Sequence, residues 1–219
     1  MFKLHVKQNM RIMKKILLFV TLVGICSGIN AQELKTIQLN KPNTQRGLPV
    51  MQALEKRQST REYADKALNL QDLSDLLWAA NGINRPESGK RTAPTAMNKQ
   101  EIDVYVCLPE GAYLYEAKTN SLKPVAKGDF RPAVGGGQAF VAKAPVCIVV
   151  VGDLDPFKGD ASMPSMDAGI VSQNISIFCA GTGLVTVPRA SMDQAKLRSA
   201  LKLKDSQRLF MNHPVGYAK

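Results

Sequence analysis

The chain has 219 residues, 45% hydrophobic and 21% charged, with 29 basic residues against 18 acidic ones and a formal net charge of +11. That balance excludes a disordered or collagen-like chain, the length suits one domain, and four cysteines are too few for a disulfide-built mini-protein. The charge makes a polyanionic partner the first possibility to examine.

Lys3, Lys7, Arg11, Lys14 and Lys15 precede the apolar run ILLFVTLVGIC (16–26), and the small and polar residues SGINAQ follow. A basic region, a short apolar region and a small residue at a cleavage point predict a secretory signal peptide over 1–31, cut after Ala31. The run is too short to span a membrane. Met10 or Met13 offers an alternative start. Cys26 offers a competing lipid-attachment site, against which Ile25, a bulky residue directly before it, speaks. Removing 1–31 takes five of the 29 basic residues and none of the 18 acids, leaving a net +6 over 188 residues. The remaining charge is spread along the chain, and its densest cluster, Lys90-Arg91, has no adjacent aromatic residue. A nucleic-acid stripe is therefore not supported.

Residues 32–47 are polar and read as a flexible lead-in to a domain over 48–219. PVMQALEK (49–56) predicts a helix with Pro49 near its first turn. Asn69 caps a second helix over 70–80, with Leu73, Leu76 and Leu77 on one face and Gly82 at its end. A Pro-, Gly- and Ser-rich loop runs from Asn84 to Gln100. IDVYVCL (102–108) reads as a strand, and AYLYEA and SLKPVA form a hairpin around Lys118-Thr119-Asn120. Residues 129–141 mix turn and helix signals around Gly135-Gly136-Gly137. APVCIVVVGD (144–153) is a buried central strand. Ser165 is expected to cap a long helix over 166–182. The strand LVTV follows, then a helix starting near Ser191 or Met192, then a strand-like C-terminus in which His213-Pro214 reads as a strand end. Cys107, Cys147 and Cys179 lack C-x-x-C spacing and read as small buried hydrophobes. The order is α+β rather than a βαβ alternation. It carries no dinucleotide-binding glycine fingerprint, Walker A sequence or zinc-protease motif.

Three segments could carry chemistry. In Arg57-Gln58-Ser59-Thr60-Arg61, two guanidiniums and intervening hydroxyls suit a phosphate, although alone the segment reads more readily as a solvated helix end. In Arg91–Gln100, Asn98 offers an amide on a tight loop. From Asp167 to Thr186, the glycines at 181 and 183 let backbone approach a flat ligand or simply end a helix.

Taken in order, RQSTREY (57–63), PTAMNKQ (94–100), DAGIVSQNISIFCAGTGLVTV (167–187) and the terminal VGYAK (215–219) resemble the FMN-dependent nitroreductase family. The exported character is similar to thiazoline/oxazoline-dehydrogenase-like members. The resemblance implies a central, mostly antiparallel sheet wrapped by helices, an intertwined homodimer, and FMN in clefts at the interface. It implies that Arg57, Ser59 and Arg61 hold the flavin phosphate and ribityl chain, with Gln58 beside the pyrimidine. It places Thr95 (where the family usually has Ser) and Asn98 against the flavin, and Gly183, Leu184, Val185 and Thr186 near N5. The family's basic residue beyond the terminal VGYP has only Lys219 to stand for it, and Ala218 replaces the Pro. The chemistry then belongs to the flavin, with no catalytic side chain and no metal, acting on a small organic substrate such as a nitroaromatic, a quinone or an azoline ring. A non-catalytic binder of flavin or another small ligand at the cell envelope is the alternative. Export implies a periplasmic setting. No side-chain pattern names the substrate or the electron donor.

Overall fold

The computed structural model describes residues 33–219; the predicted signal peptide lies outside them. The chain forms β1 (Ile37–Gln38), α1 (Val50–Lys56), α2 (Leu70–Asn81), β2 (Ile83–Arg85), β3 (Lys90–Arg91), β4 (Ile102–Leu108), β5 (Gly111–Glu116) and β6 (Ser121–Lys127). Then come α3 (Arg131–Gly135), β7 (Val146–Asp153), α4 (Ser162–Thr182), β8 (Leu184–Thr186), α5 (Gln194–Ala200) and β9 (Gln207–Tyr217). Seven strands make one sheet in the order β1-β6-β5-β4-β7-β9-β8, and its strand pairs are antiparallel. Strands β2 and β3 form a separate small hairpin.

The period-2 alternation of strands explains the layering. In β7, Val146, Ile148 and Val150 face a core shared with Leu76 and Leu77 of α2 and Val171 and Ile175 of α4. Cys147, Val149 and Val151 face a second core with Val134 of α3 and Leu197 of α5. Helices thus cover both faces, and β7 must be apolar throughout. The three described cysteines are buried and free, filling core space as expected. Burial raises the Cys107 thiol to about 12, so it is chemically quiet.

Helix α2 starts as expected: Asn69 Oδ1 accepts the Asp72 N–H at 2.8 Å. It ends at Gly82 in an extended conformation, where a Cβ would meet Trp78 Cα at 2.7 Å. The glycine serves close approach rather than a left-handed turn.

Four expectations need correction. The polar segment before residue 48 is not a loose lead-in from residue 37 on: β1 pairs with β6, and Leu39 is buried. Asp75 accepts the Asn43 N–H at 2.8 Å and pairs with Arg46 at 2.9 Å, so side-chain bonds do what hydropathy does not. Helix α4 begins at Ser162, with Ser165 inside its first turn. Pro164 sits where a helix has no N–H to satisfy. Helix α5 begins at Gln194, because Asp193 rather than Ser191 accepts the Lys196 N–H at 3.0 Å. His213 does not end a strand; β9 runs through His213-Pro214 to Tyr217.

Candidate active site

Beyond α1 the chain enters an extended stretch strapped to the sheet edge. Ser59 forms a parallel bridge with Thr186, and the Thr60 N–H donates to the Thr186 carbonyl at 2.9 Å. The Ala64 N–H donates to the Tyr217 carbonyl at 3.0 Å. Tyr217, in turn, donates its hydroxyl to Asp72 and accepts from Asn69 Nδ2 at 3.1 Å. The terminal Val-Gly-Tyr therefore anchors both the 59–64 stretch and the start of α2.

A cleft opens between this stretch and the turn after α4. Lys56, Gln58 and Thr60 line one wall; Ser176, Cys179 and Ala180 line the α4 side; Gly183 through Thr186 and Ala218 complete it. Gly183 has φ +79 with nothing near its missing Cβ, which leaves open space over the turn. Gln58 and the turn residues Gly183, Leu184, Val185 and Thr186 thus line one cleft. Lys56, the last residue of α1, and Thr60, which alternates with Ser59 along the extended stretch, are additional lining residues. Lys219 lies exposed one residue beyond Ala218.

Arg57, Ser59 and Arg61 occupy the alternate positions and so share the other face of the stretch. They are exposed, and neither guanidinium has an ion-pair or hydrogen-bond partner among the described residues. Arg189, which the sequence motifs do not single out, lies near Arg61. Its guanidinium is buried and donates to the carbonyls of Val134 (3.0 Å) and Gly135 (2.8 Å) and to Asn212 Oδ1 (2.7 Å). All three acceptors are neutral. Burial, and to a lesser degree the positive charge of nearby Arg61, pulls the Arg189 pKa down from its usual value. A buried cation without a carboxylate, near exposed Arg61, leaves positive charge that an anion would relieve. The signal available in sequence was only an Arg in VPRAS, with nothing to say that it is buried.

His213, the single histidine of the described residues, lies under the cleft wall. Thr186 Oγ1 has one proton and donates it to the Pro214 carbonyl at 2.9 Å. At its 3.3 Å contact with His213 Nδ1 it must therefore accept, so the proton sits on Nδ1. Nε2 is then the acceptor for the Ser172 hydroxyl at 2.7 Å. Complete burial lowers the imidazole pKa to about 3, so the ring is neutral at ordinary pH and props up Thr186.

Thr95 and Asn98 lie elsewhere in the chain. Thr95 Oγ1 accepts the Gln100 N–H at 2.8 Å, and the Ala96 N–H donates to Asp167 Oδ2 at 2.8 Å. Asp167 is near the start of α4 and Gly183 follows its end, about 24 Å away along the helix axis. Within one chain these two residues are not brought to the cleft. Both ends of α4 also show exposed apolar side chains: Val50, Met51 and Leu54 on α1 near one end, and Met163, Met166 and Ile170 near the other.

The nitroreductase family model matches residues 54–217, which contain the 57–61 stretch, the 95–98 loop, α4 and β9. The chain belongs to the nitroreductase family. A Methanocaldococcus jannaschii protein provisionally named a nitroreductase is 28% identical over 195 residues, covering 83% of this chain and 96% of that protein. A crystal structure of a provisionally assigned nitroreductase from Ralstonia eutropha superimposes with a TM-score of 0.79 at 32% identity, over 86% of this chain and 92% of the other. An FMN-dependent nitroreductase from Clostridium difficile shares the fold with a TM-score of 0.55 at 17% identity, over 77% of this chain and 87% of the other. The antiparallel sheet wrapped by helices is thus the nitroreductase fold, as the motifs imply. Among the described residues no group of three His, Cys, Asp or Glu side chains could hold a metal ion.

Proposed function

We propose that this nitroreductase-family protein is an exported, FMN-dependent oxidoreductase acting on a small organic substrate. The observation that carries the reading is an extended stretch with two faces: Gln58 and Thr60 line a glycine-bordered cleft, while Arg57 and Arg61, with buried Arg189 near Arg61, leave uncompensated positive charge on the other. Two forked guanidiniums and the Ser59 hydroxyl fit a phosphate monoester. Gln58 supplies an amide that can both donate and accept to a pyrimidine edge, and the open turn at Gly183 admits a flat ring. Bound FMN supplies the electron-transfer chemistry at its N5; the chain binds, orients and electrostatically supports it. The cationic face also favours the added negative charge of a reduced flavin.

The separation of Thr95 and Asn98 from Arg57–Arg61 supports a homodimer in which a second copy brings its 95–98 loop to the cleft. Residues 1–31, as a cleaved signal peptide, would deliver the domain to the periplasm, where a donor other than cytoplasmic nicotinamide serves it. In that setting a membrane quinol, a partner protein or the substrate itself is the electron source.

Purified mature protein is expected to be yellow or to turn yellow on FMN titration. The Arg57→Ala/Arg61→Ala variant is expected to weaken FMN at least about tenfold, the loss of two charge-assisted contacts. Riboflavin, which lacks the phosphate, should bind both forms alike. Unchanged FMN affinity in the variant would remove the phosphate site from these residues, and absence of FMN binding in the wild type would sink the proposal.

A further inference from the structure

The loop Thr95–Gln100 is wound more tightly than its sequence requires. Met97, Asn98 and Gln100 all have left-handed backbones, with φ of 52°, 53° and 54°. None is glycine, so Met97 and Gln100 are each disfavoured by roughly 1–2 kcal/mol and Asn98 by less, and the loop persists because its surroundings hold it. Toward α4 the hold is the Ala96 N–H bond to Asp167 Oδ2 at 2.8 Å; Thr95 Oγ1 accepts from Gln100 N–H at the loop's neck, and Gln100 Nε2 donates to the Gly89 carbonyl at 3.2 Å.

At the exit of the loop stands Glu101. Its carboxyl is buried (6% exposed), as is Asp167 (5% exposed), and the two side chains are in hydrogen-bond reach of each other. Yet neither Glu101 oxygen has a donor among the described residues. Two carboxylates are both acceptors, so they can bond only if a proton lies between them. Burial, with Asp167 as the charged neighbour, raises the Glu101 carboxyl to about 7. The other charged groups around it are turned elsewhere. Asp153 on β7 gives its backbone N–H to the Glu101 carbonyl and its carboxylate to Lys204 at 4.0 Å. Arg91 on β3 donates to Gln100 Oε1 at 3.1 Å and to the Asn81 carbonyl at 3.0 Å. Lys99, in the loop itself, is exposed.

We propose that Glu101 and Asp167 form a proton-sharing latch that holds the strained 95–100 loop against α4 and opens it when the shared proton is lost to solvent. Ionised together, two buried carboxylates repel without a counter-charge. Glu101, at the loop's end, relieves this by moving to water and unwinding three disfavoured residues as it goes. The latch's consequence for cofactor binding, through Asn98, rests on the proposed function above.

The test is amide hydrogen exchange across residues 94–101 of the full domain from pH 6 to 8.5, corrected for intrinsic exchange. Above the latch pKa, loop protection in the wild type is expected to fall about tenfold per pH unit until the open form dominates. Glu101→Gln, which keeps a neutral donor toward Asp167, should hold protection constant over the same range, and Asp167→Asn provides the same test from the other side. Constant wild-type protection would overturn the latch, as would unaltered pH dependence in both variants. An FMN titration at pH 6 and 8.5 reads the consequence separately. A loop that opens without weakening FMN leaves the latch standing and removes Asn98 from the cofactor site.

Discussion

Two buried titratable side chains give this protein opposing pH responses. His213 has its pKa lowered from 6.5 to about 3, so between those values the unfolded chain binds a proton that the folded one does not. Its stabilising contribution is complete above about 6.5 and is lost as pH falls toward 3. Glu101 is raised from 4.5 to about 7, so the folded chain holds the extra proton. That contribution is complete below 4.5 and is lost as pH rises through 7. From pH 4.5 to 6.5 the two slopes oppose each other. Relative to wild type, His213→Gln is expected to become less stable as pH rises through this window, and Glu101→Gln more stable. Urea unfolding at pH 4.5, 5.5 and 6.5 measures both differences. Parallel curves for the three proteins would mean that neither group is perturbed in the folded state.

At the scale of elements, the glycine-rich turn after α3 shows which local signals sequence carries. Gly135-Gly136-Gly137 reads ambiguously as turn or helix. In the structure only Gly136 is constrained on both counts: φ is +55, and a Cβ would meet Met192 Cα at 2.8 Å. Gly136→Ala should therefore cost about 2–4 kcal/mol, from left-handed strain plus displacement of a neighbouring backbone. Gly89, with φ +64 but open space, should cost only ~1 kcal/mol when changed to Ala. Chemical unfolding of the two variants checks the ranking, and equal costs would show that the Met192 contact yields freely. The same contrast describes what the sequence made legible. Strand β4 and the β5–β6 hairpin follow from alternation and turn residues, and β7 from its β-branched run. The pairing of β1 and the burial of Arg189 do not, because each depends on a partner distant in sequence: Arg189 is an ordinary surface cation until the α3 carbonyls meet it. The starts of α4 and α5 turn on local choices among several polar residues, and at α5 it is Asp193 that receives the Lys196 N–H. The 57–61 stretch suggests a phosphate grip only in company with the other family motifs, and its alternating faces appear only once Ser59 is bridged to Thr186.

The whole molecule poses a problem of completion. One chain carries the cationic stretch at the end of α4 and the strained amide loop at its beginning, and it leaves apolar side chains exposed at both. Met51 is 73% exposed, Met97 74% and Met166 61%, with Val50 and Ile170 beside them. Such clusters at the two ends of one helix are costly for a lone domain and suit burial against a second copy running the opposite way. That arrangement would set the 95–98 loop of one copy over Arg57–Arg61 of the other, twice by symmetry. Sedimentation of the mature protein is therefore expected to give a dimer. Met51→Lys/Met166→Lys, which places a charge in each apolar cluster, should shift it toward monomer and weaken FMN in parallel, since neither side chain lines the cleft of a single chain. Thermal unfolding of that variant separates lost assembly from lost folding. A well-folded monomer that keeps wild-type FMN affinity would show that one chain completes the site, and it would require Asn98 and Thr95 to serve some purpose other than the flavin.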